Sequence, residues 1–115
     1  MTLYDWTEIP LEEMTPFFAR RVIHTPSMTI AQLELKQGGH VSLHHHINEQ
    51  VSIVVSGKLV FHIGGKVITV GPGQTLVIPP NLPHSVEVLE DAIVTDVFTP
   101  RREDWISGND AYLRK

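Results

Sequence analysis

Between about residues 17 and 99 the chain runs in short β-branched stretches in which apolar and polar positions alternate. These are 17–23, 28–36, 41–47, 50–56, 58–63, 66–70, 75–78, 84–89 and 92–99. Helical spacing of apolar residues is missing there, so the pattern predicts an all-β fold. The turns have their own chemistry. "IGGK" at 63–66 sets two glycines between two runs, and glycine reaches the positive φ that a tight hairpin demands. "GPG" at 71–73 and "PPNLP" at 79–83 carry prolines, which donate nothing to a ladder, and so mark loops at strand ends. After Thr99 the alternation stops, and "PRREDWISGNDAYLRK" is expected to hold a short helical C-terminal segment. No repeat or linker interrupts the pattern, so residues 1–115 are expected to form a single domain around one core. Closing about eight such strands into a small barrel or jelly roll removes free edges and leaves room inside for one small ligand.

Composition narrows the chemistry. The absence of cysteine excludes disulfides, a thiolate metal site and a cysteine nucleophile. Thirteen acidic against nine basic residues give a net charge of -4, and the basic ones are scattered, which argues against binding nucleic acid or an anionic membrane. No apolar run approaches the roughly 20 residues of a membrane span. "MTLYDWTEIP" lacks a basic region followed by an apolar one, so a cytoplasmic protein is expected.

The chemistry-bearing stretch is "HVSLHHHINEQVSIVVSG", residues 40–57. On a strand, His44 and His46 share one face and His45 takes the other. Two imidazoles on one face can chelate an ion, and His84 follows the proline-rich turn far along the chain. The joint spacing is G38-x5-H44-x-H46-x3-Q50-x6-G57, then G73-x5-P79-x-N81-x-P83-H84. It resembles the two signature motifs of the cupin superfamily, G-x5-H-x-H-x3-4-E-x6-G and G-x5-P-x-G-x2-H-x3-N. The resemblance implies a single-domain cupin β-barrel, a double-stranded β-helix or jelly roll, with His44, His46, Gln50 and His84 around a metal ion.

This chain departs from the motifs in three places. Gln50 stands where the family usually has Glu, Asn81 replaces a Gly, and Val88 lies near the place of the final Asn. Three neutral imidazoles and a neutral amide leave the full charge of a dication unopposed, which favours anionic oxygen ligands such as a substrate carboxylate. Glu49, a harder donor, competes with Gln50; the spacing to Gly57 favours Gln50, which would share a cavity-facing side with Ser52 and Val54. Three nitrogens and one oxygen suit Ni, Mn, Fe, Co or Zn as the divalent transition metal. His45, His40 and His24 are expected at the surface or as minor wall residues. His62, beside Val60 on a short strand, is open in orientation and is counted with Ser52 and Phe98 as a pocket residue.

On the other face Val51, Ile53 and Val55 are apolar and need a cover, which predicts a homodimer, as is usual for single-domain cupins. Residues 77–105 resemble a narrower group, the small cupins of pectin degradation, which act on 4,5-unsaturated uronates. That group ends its last strand in Asp-x-Phe-x-Pro followed by Arg, matched here by Asp96, Phe98, Pro100 and Arg102. The resemblance implies uronate metabolism, with a small carboxylate substrate ring-opened to its linear keto form. Asp96 would move protons and Arg102 would pair with the carboxylate, with Arg101 not separable from Arg102 by spacing. Phe17, Phe18 and Trp105 are expected to serve packing. Two other functions fit the same metal motifs: an Fe(II)-dependent dioxygenase, and a non-catalytic binder of small acids.

Overall fold

The computed structural model describes residues 1–115 and contains eight strands. They are β1 (Glu12–Thr15), β2 (Phe18–His24), β3 (Thr29–Leu35), β4 (His40–His44), β5 (Glu49–Ile63), β6 (Lys66–Val70), β7 (Thr75–Ile78) and β8 (His84–Thr99). A one-turn helix α1 (Glu103–Ile106) and two 3-10 turns, Trp6–Glu8 and Ala111–Leu113, complete the chain.

Two long antiparallel strands, β5 and β8, run side by side and are shared between two layers. Residues 49–54 of β5 and 92–99 of β8 lie in one layer, with β7 on one side and β3, β2 and β1 on the other. Residues 58–63 and 84–90 lie in the second layer, between β6 and β4. The layers face each other and enclose the core in a barrel of mostly antiparallel sheet with little helix.

The crossing between layers explains why the sequence pattern suggested four strands where there are two. The runs 50–56 and 58–63 are one strand, as are 84–89 and 92–99. Alternation is lost at the bend, where register shifts fall between Val54 and Leu59, yet the ladder continues. Gly57 sits in that bend with φ +82, and a Cβ there would lie 2.2 Å from the Asp91 carbonyl oxygen, so neither backbone nor space admits another residue. The run 41–47 stops at His44 because 45–48 turn the chain into β5. β1, "EEMT", escaped notice because it is short and presents only Met14 to the core.

Interior positions follow strand parity. Val54, Leu59, Phe61 and Ile63 of β5, Val86, Val88, Ala92 and Val94 of β8, and Ala31, Leu33 and Leu35 of β3 form one core cluster. Each large side chain so buried contributes about 1.5–3 kcal/mol. Phe18 and Trp105 join this core, as expected of packing residues, whereas Phe17 is exposed and rests over Gly38 and Gly39.

Candidate metal centre

One end of the interior is polar. His44 closes β4, His84 opens β8 directly opposite it, and His46 follows in the turn before β5. Burial separates the three consecutive histidines: His46 is buried and His44 half-buried, while His45 is exposed. Each of the inward rings uses Nδ1 to reach a carbonyl oxygen two residues away. His44 pairs with Ser42 at 2.7 Å, His46 with Asn48 at 3.0 Å and His84 with Leu82 at 2.8 Å. A carbonyl only accepts, so each Nδ1 carries the proton and each neutral ring keeps its Nε2 lone pair free. One ligand nitrogen from each of the three rings lies within 4.8 Å of the others.

These rings stay neutral. Burial, with help from His84, His46 and Arg102, holds His44 down at about 4, partly offset by the Ser42 carbonyl. Burial, then Arg102 and His84, brings His46 to about 4. His84 is lowered by burial too, with Arg102 acting the same way against the Leu82 carbonyl.

Gln50 brings the fourth donor. It is buried, pointing inward from β5, whereas Glu49 points out to solvent. Its amide nitrogen donates to Ser52 Oγ at 2.9 Å and faces Asp96 Oδ2 at 3.4 Å, which fixes which end is oxygen. Gln50 Oε1 therefore meets His46 Nε2 at 3.1 Å with a lone pair on each side and no proton between. His84 Nε2 is buried with no partner at all. A cation satisfies both orphaned arrangements, so the residues fit a divalent ion.

Asp96 lies on the inner face of β8 with Val94 and Phe98, opposite Ser52. Its Oδ1 is buried and unpartnered. Burial pushes its carboxyl up to about 6, although Ser52 and Arg102 pull the other way. Arg102, 1% exposed, lies over the Phe98 and Trp105 rings at 4.7 and 4.5 Å. Its backbone N–H donates to Thr29 Oγ1 at 2.8 Å. Burial disfavours its charge, but Asp104 and Tyr112 outweigh that and hold it more firmly protonated than an ordinary arginine.

The structure thus gathers His44, His46, His84, Gln50, Ser52, Asp96, Phe98 and Arg102 at one end of the barrel. His62 is not among them: it shares the outer face of β5 with neither Phe61 nor Ile63 and pairs at 3.4 Å with Glu87 in solvent. It lines an outer groove of about 470 Å³ with Leu43, Leu82 and Val67, larger than the histidine cavity but empty of its chemistry. The bend at Gly57 sets the parity of this half of β5, and alternation counted through it fails. Arg101 is at the rim, bound to Glu103, which separates it from Arg102. His40 and His45 are exposed, and His24 is half-buried against Thr29.

The forked contact expected of Arg102 is already taken: Nε and Nη2 hold the two oxygens of Asp104 at 3.0 and 2.8 Å, and Nη2 also reaches the Tyr112 hydroxyl. Asp104, Tyr112 and Asn48 are site residues that the sequence reading missed. Asn48, 3% exposed, donates its amide to the carbonyls of Pro100 and Arg101, tying the turn after His46 to the turn before Arg102. An Asn inside "HINEQ", between two ligand positions, was the available signal. Asn81 adopts φ +63, the left-handed conformation that Asn tolerates better than other side chains, so it meets the demand Gly usually meets in this loop. Its N–H then donates to the His46 carbonyl at 2.7 Å.

No curated protein matches the chain. Among solved structures it is similar to KdgF from Halomonas sp., at 27% identity and a TM-score of 0.83 over 90% of this chain and 99% of that one. It is also similar to an RmlC-like cupin from Shewanella frigidimarina, at 22% identity and TM-score 0.84 over 91% and 96% of the two chains. A predicted oxalate decarboxylase from Thermotoga maritima shares the fold at 19% identity and TM-score 0.74, over 86% and 99%. The profile of the cupin domain matches residues 31–98, more than half the sequence, and with the barrel and its histidines on the page the conclusion follows that the chain belongs to the cupin domain family.

Proposed function

We propose that this protein is a metal-dependent enzyme that opens 4,5-unsaturated uronates to their linear keto forms. The observation that carries this reading is Asp96: a buried carboxyl brought to about 6, one oxygen without a partner, in the same cavity as the His44 and His84 imidazoles, with which His46 converges. The resemblance of residues 77–105 to the pectin-degradation cupins and the near full-length likeness to KdgF support it.

The substrate is a cyclic hemiacetal whose ring oxygen is also an enol ether oxygen. Opening it requires loss of the anomeric hydroxyl proton, formation of the C1 carbonyl and cleavage of the bond from C1 to the ring oxygen. The enol left at C5 becomes a ketone when C4 gains a proton, so the reaction is an isomerisation with nothing added or lost. Asp96, poised near neutrality, takes the first proton and returns it to C4. Gln50 and Ser52 hold the carboxyl in place, and Phe98 walls the cavity against water. Arg102 offers positive charge to the uronate carboxylate through Nη1, the guanidinium nitrogen that Asp104 and Tyr112 leave free. A divalent transition ion held by His44, His46, His84 and Gln50 supplies Lewis acidity and charge against developing negative oxygen.

The test is the enol-ether absorbance of a lyase-generated monouronate on adding protein. Accelerated decay, abolished in Asp96→Ala with metal retained, is expected; decay no faster than in buffer overturns the reading, and oxygen uptake instead points to a dioxygenase. We further infer a homodimer, supported by the apolar strip of Ile53, Val55, Val77 and Ile93 exposed on the outer face of the first layer. Light scattering giving a monomer at micromolar concentration contradicts it.

A further inference from the structure

The cavity beneath the histidines is only about 50 Å³. That is room for an ion and a water or two, against the roughly 300 Å³ or more of an ordinary small-molecule site. Most of its walls are ladder-bonded strands, which cannot retreat without breaking the barrel. The exceptions are residues beyond Thr99, above all Tyr112 and Leu113.

Tyr112 is a half-buried wall residue of the cavity, packed beside a ligand histidine. Its ring lies 4.7 Å from that of His44, and its hydroxyl accepts from Arg102 Nη2 and from Trp105 Nε1 at 3.5 Å. The segment that carries it makes no backbone hydrogen bond to the barrel. Its own are Asn109 to Asp104, Leu113 to Asp110 and Arg114 to Ala111, all local. What holds it down is side chains alone: the Tyr112 contacts with His44, Arg102 and Trp105, the buried Leu113, and a few charges, Asp110 pairing with Arg20 at 2.6 Å and Arg114 reaching Asp110 and Glu12. Gly108, at φ +80 with open space around its α-carbon, joins this segment to α1. A segment attached by side chains at one end of a glycine joint has the build of a local opening unit.

We propose that residues 109–115 are a hinged plug over the metal cavity, turning at Gly108, and that Tyr112 must leave before any ligand larger than water enters. It rests on the functional reading only for the identity of what enters. For a uronate, departure of the phenol would open the way to Arg102 Nη1 and free the Nη2 hydrogen that the phenol now holds.

Because the chain has no cysteine, a single engineered thiol reports on access. Leu33→Cys places it in the cavity wall, and Leu35→Cys, in the same wall, provides a second reporter should the first fail to fold. Reaction with a negatively charged methanethiosulfonate, itself too large for the closed cavity, should be slower than that of an exposed Ser56→Cys control by at least about tenfold. Adding Asp110→Asn, which cuts the latch, or Tyr112→Ala, which removes the obstruction, should each raise the cavity rate about tenfold with the circular dichroism spectrum unchanged. Equal rates with and without these changes overturn the plug, as does a reporter that in the intact protein reacts like the exposed control. The assay uses neither uronate nor turnover, so its failure leaves the proposed reaction standing, and failure of the reaction leaves the plug standing.

Discussion

The two ends of the barrel interior are built from the same strands and differ in almost everything else. At one end β5 and β8 present Val54, Leu59, Val88, Ala92 and Val94, joined by Val70, all apolar and all in one cluster. At the other end β5 contributes Gln50 and Ser52, β8 contributes His84 and Asp96, and β4 contributes His44. The first end gains from every side chain it hides. The second hides an unpartnered Asp96 oxygen and an unpartnered His84 nitrogen, which lowers stability and leaves donors that a ligand can satisfy. Stability and chemistry are thus segregated along the axis of the barrel, with the apolar end stiff enough to hold the polar end in an arrangement it would not choose.

The sharpest way to break this contrast is to damage the apolar end. Leu59→Ala truncates a side chain that is 2% exposed and should lower stability by about 2–5 kcal/mol in urea unfolding, while the protein that stays folded binds metal as before. Gly57→Ala should be at least as damaging, since it adds a forbidden φ to a collision with Asp91. The reciprocal cut is His84→Ala. It should weaken divalent metal binding by at least roughly a hundredfold, about 2.7 kcal/mol, in calorimetric titration. Melting of the metal-free protein should fall by less than in the core truncation, because loss of the buried ring and its Leu82 bond is offset by removing an Nε2 that had no partner. A large fall in metal-free melting temperature would show that the polar end carries the fold after all.

How much of this contrast is legible in the sequence depends on what fixes each residue. The spacing to Gly57 favours Gln50, and alternation pairs it with Ser52 and pairs Asp96 with Phe98; all four are buried, because each pair lies on an unbroken stretch of strand whose period is two. The histidine spacing was legible through its likeness to a known motif, since His46 lies in the turn after β4 and not on the strand. His62 was not, because the bend at Gly57 resets parity and only the register of the folded ladder says by how much. Nor was the captivity of Arg102: Asp104 and Tyr112 reach it through a helical turn and a 3-10 turn whose positions depend on packing of Trp105 and Leu113 rather than on local pattern. Asn48 and Asn81 are one step further removed, since their roles are backbone bonds across turns.

A smaller effect comes from neutralising one charge at the polar end. Asp96 has its pKa raised from 3.8 to about 6, so above pH 6 the folded protein carries a carboxylate that the unfolded chain holds more comfortably. Asp96→Asn should therefore stabilise the protein at pH 7.5, by about 1 kcal/mol after allowing for relaxation around the site. The same substitution should abolish uronate opening with metal still bound. Stability unchanged or lowered would mean that Asp96 is well solvated in the native state.

The smallest predicted effect is a pH dependence that sets members of the polar end against one another. His44 and His46 fall from 6.5 to about 4 on folding, so between those values the unfolded chain takes up protons that the folded one refuses. Their contribution to stability is complete above pH 6.5 and is lost as the pH falls toward 4. Asp96 has the opposite sign: its raised pKa means that the folded protein gains stability as pH falls from about 6 toward 3.8. Two imidazoles outweigh one carboxyl, and His84 is shifted in the same direction as the other rings. Melting of the metal-free protein should accordingly drop by about 3 °C between pH 6.5 and 4.5. The drop should steepen in Asp96→Asn, which removes the opposing group, and flatten in His44→Gln, which removes one of the rings. A rise in melting temperature over that interval, or identical slopes in the three proteins, would mean that these rings take up protons in the folded state as readily as in the unfolded one. The contrast between the two ends of the barrel would then rest on shape alone.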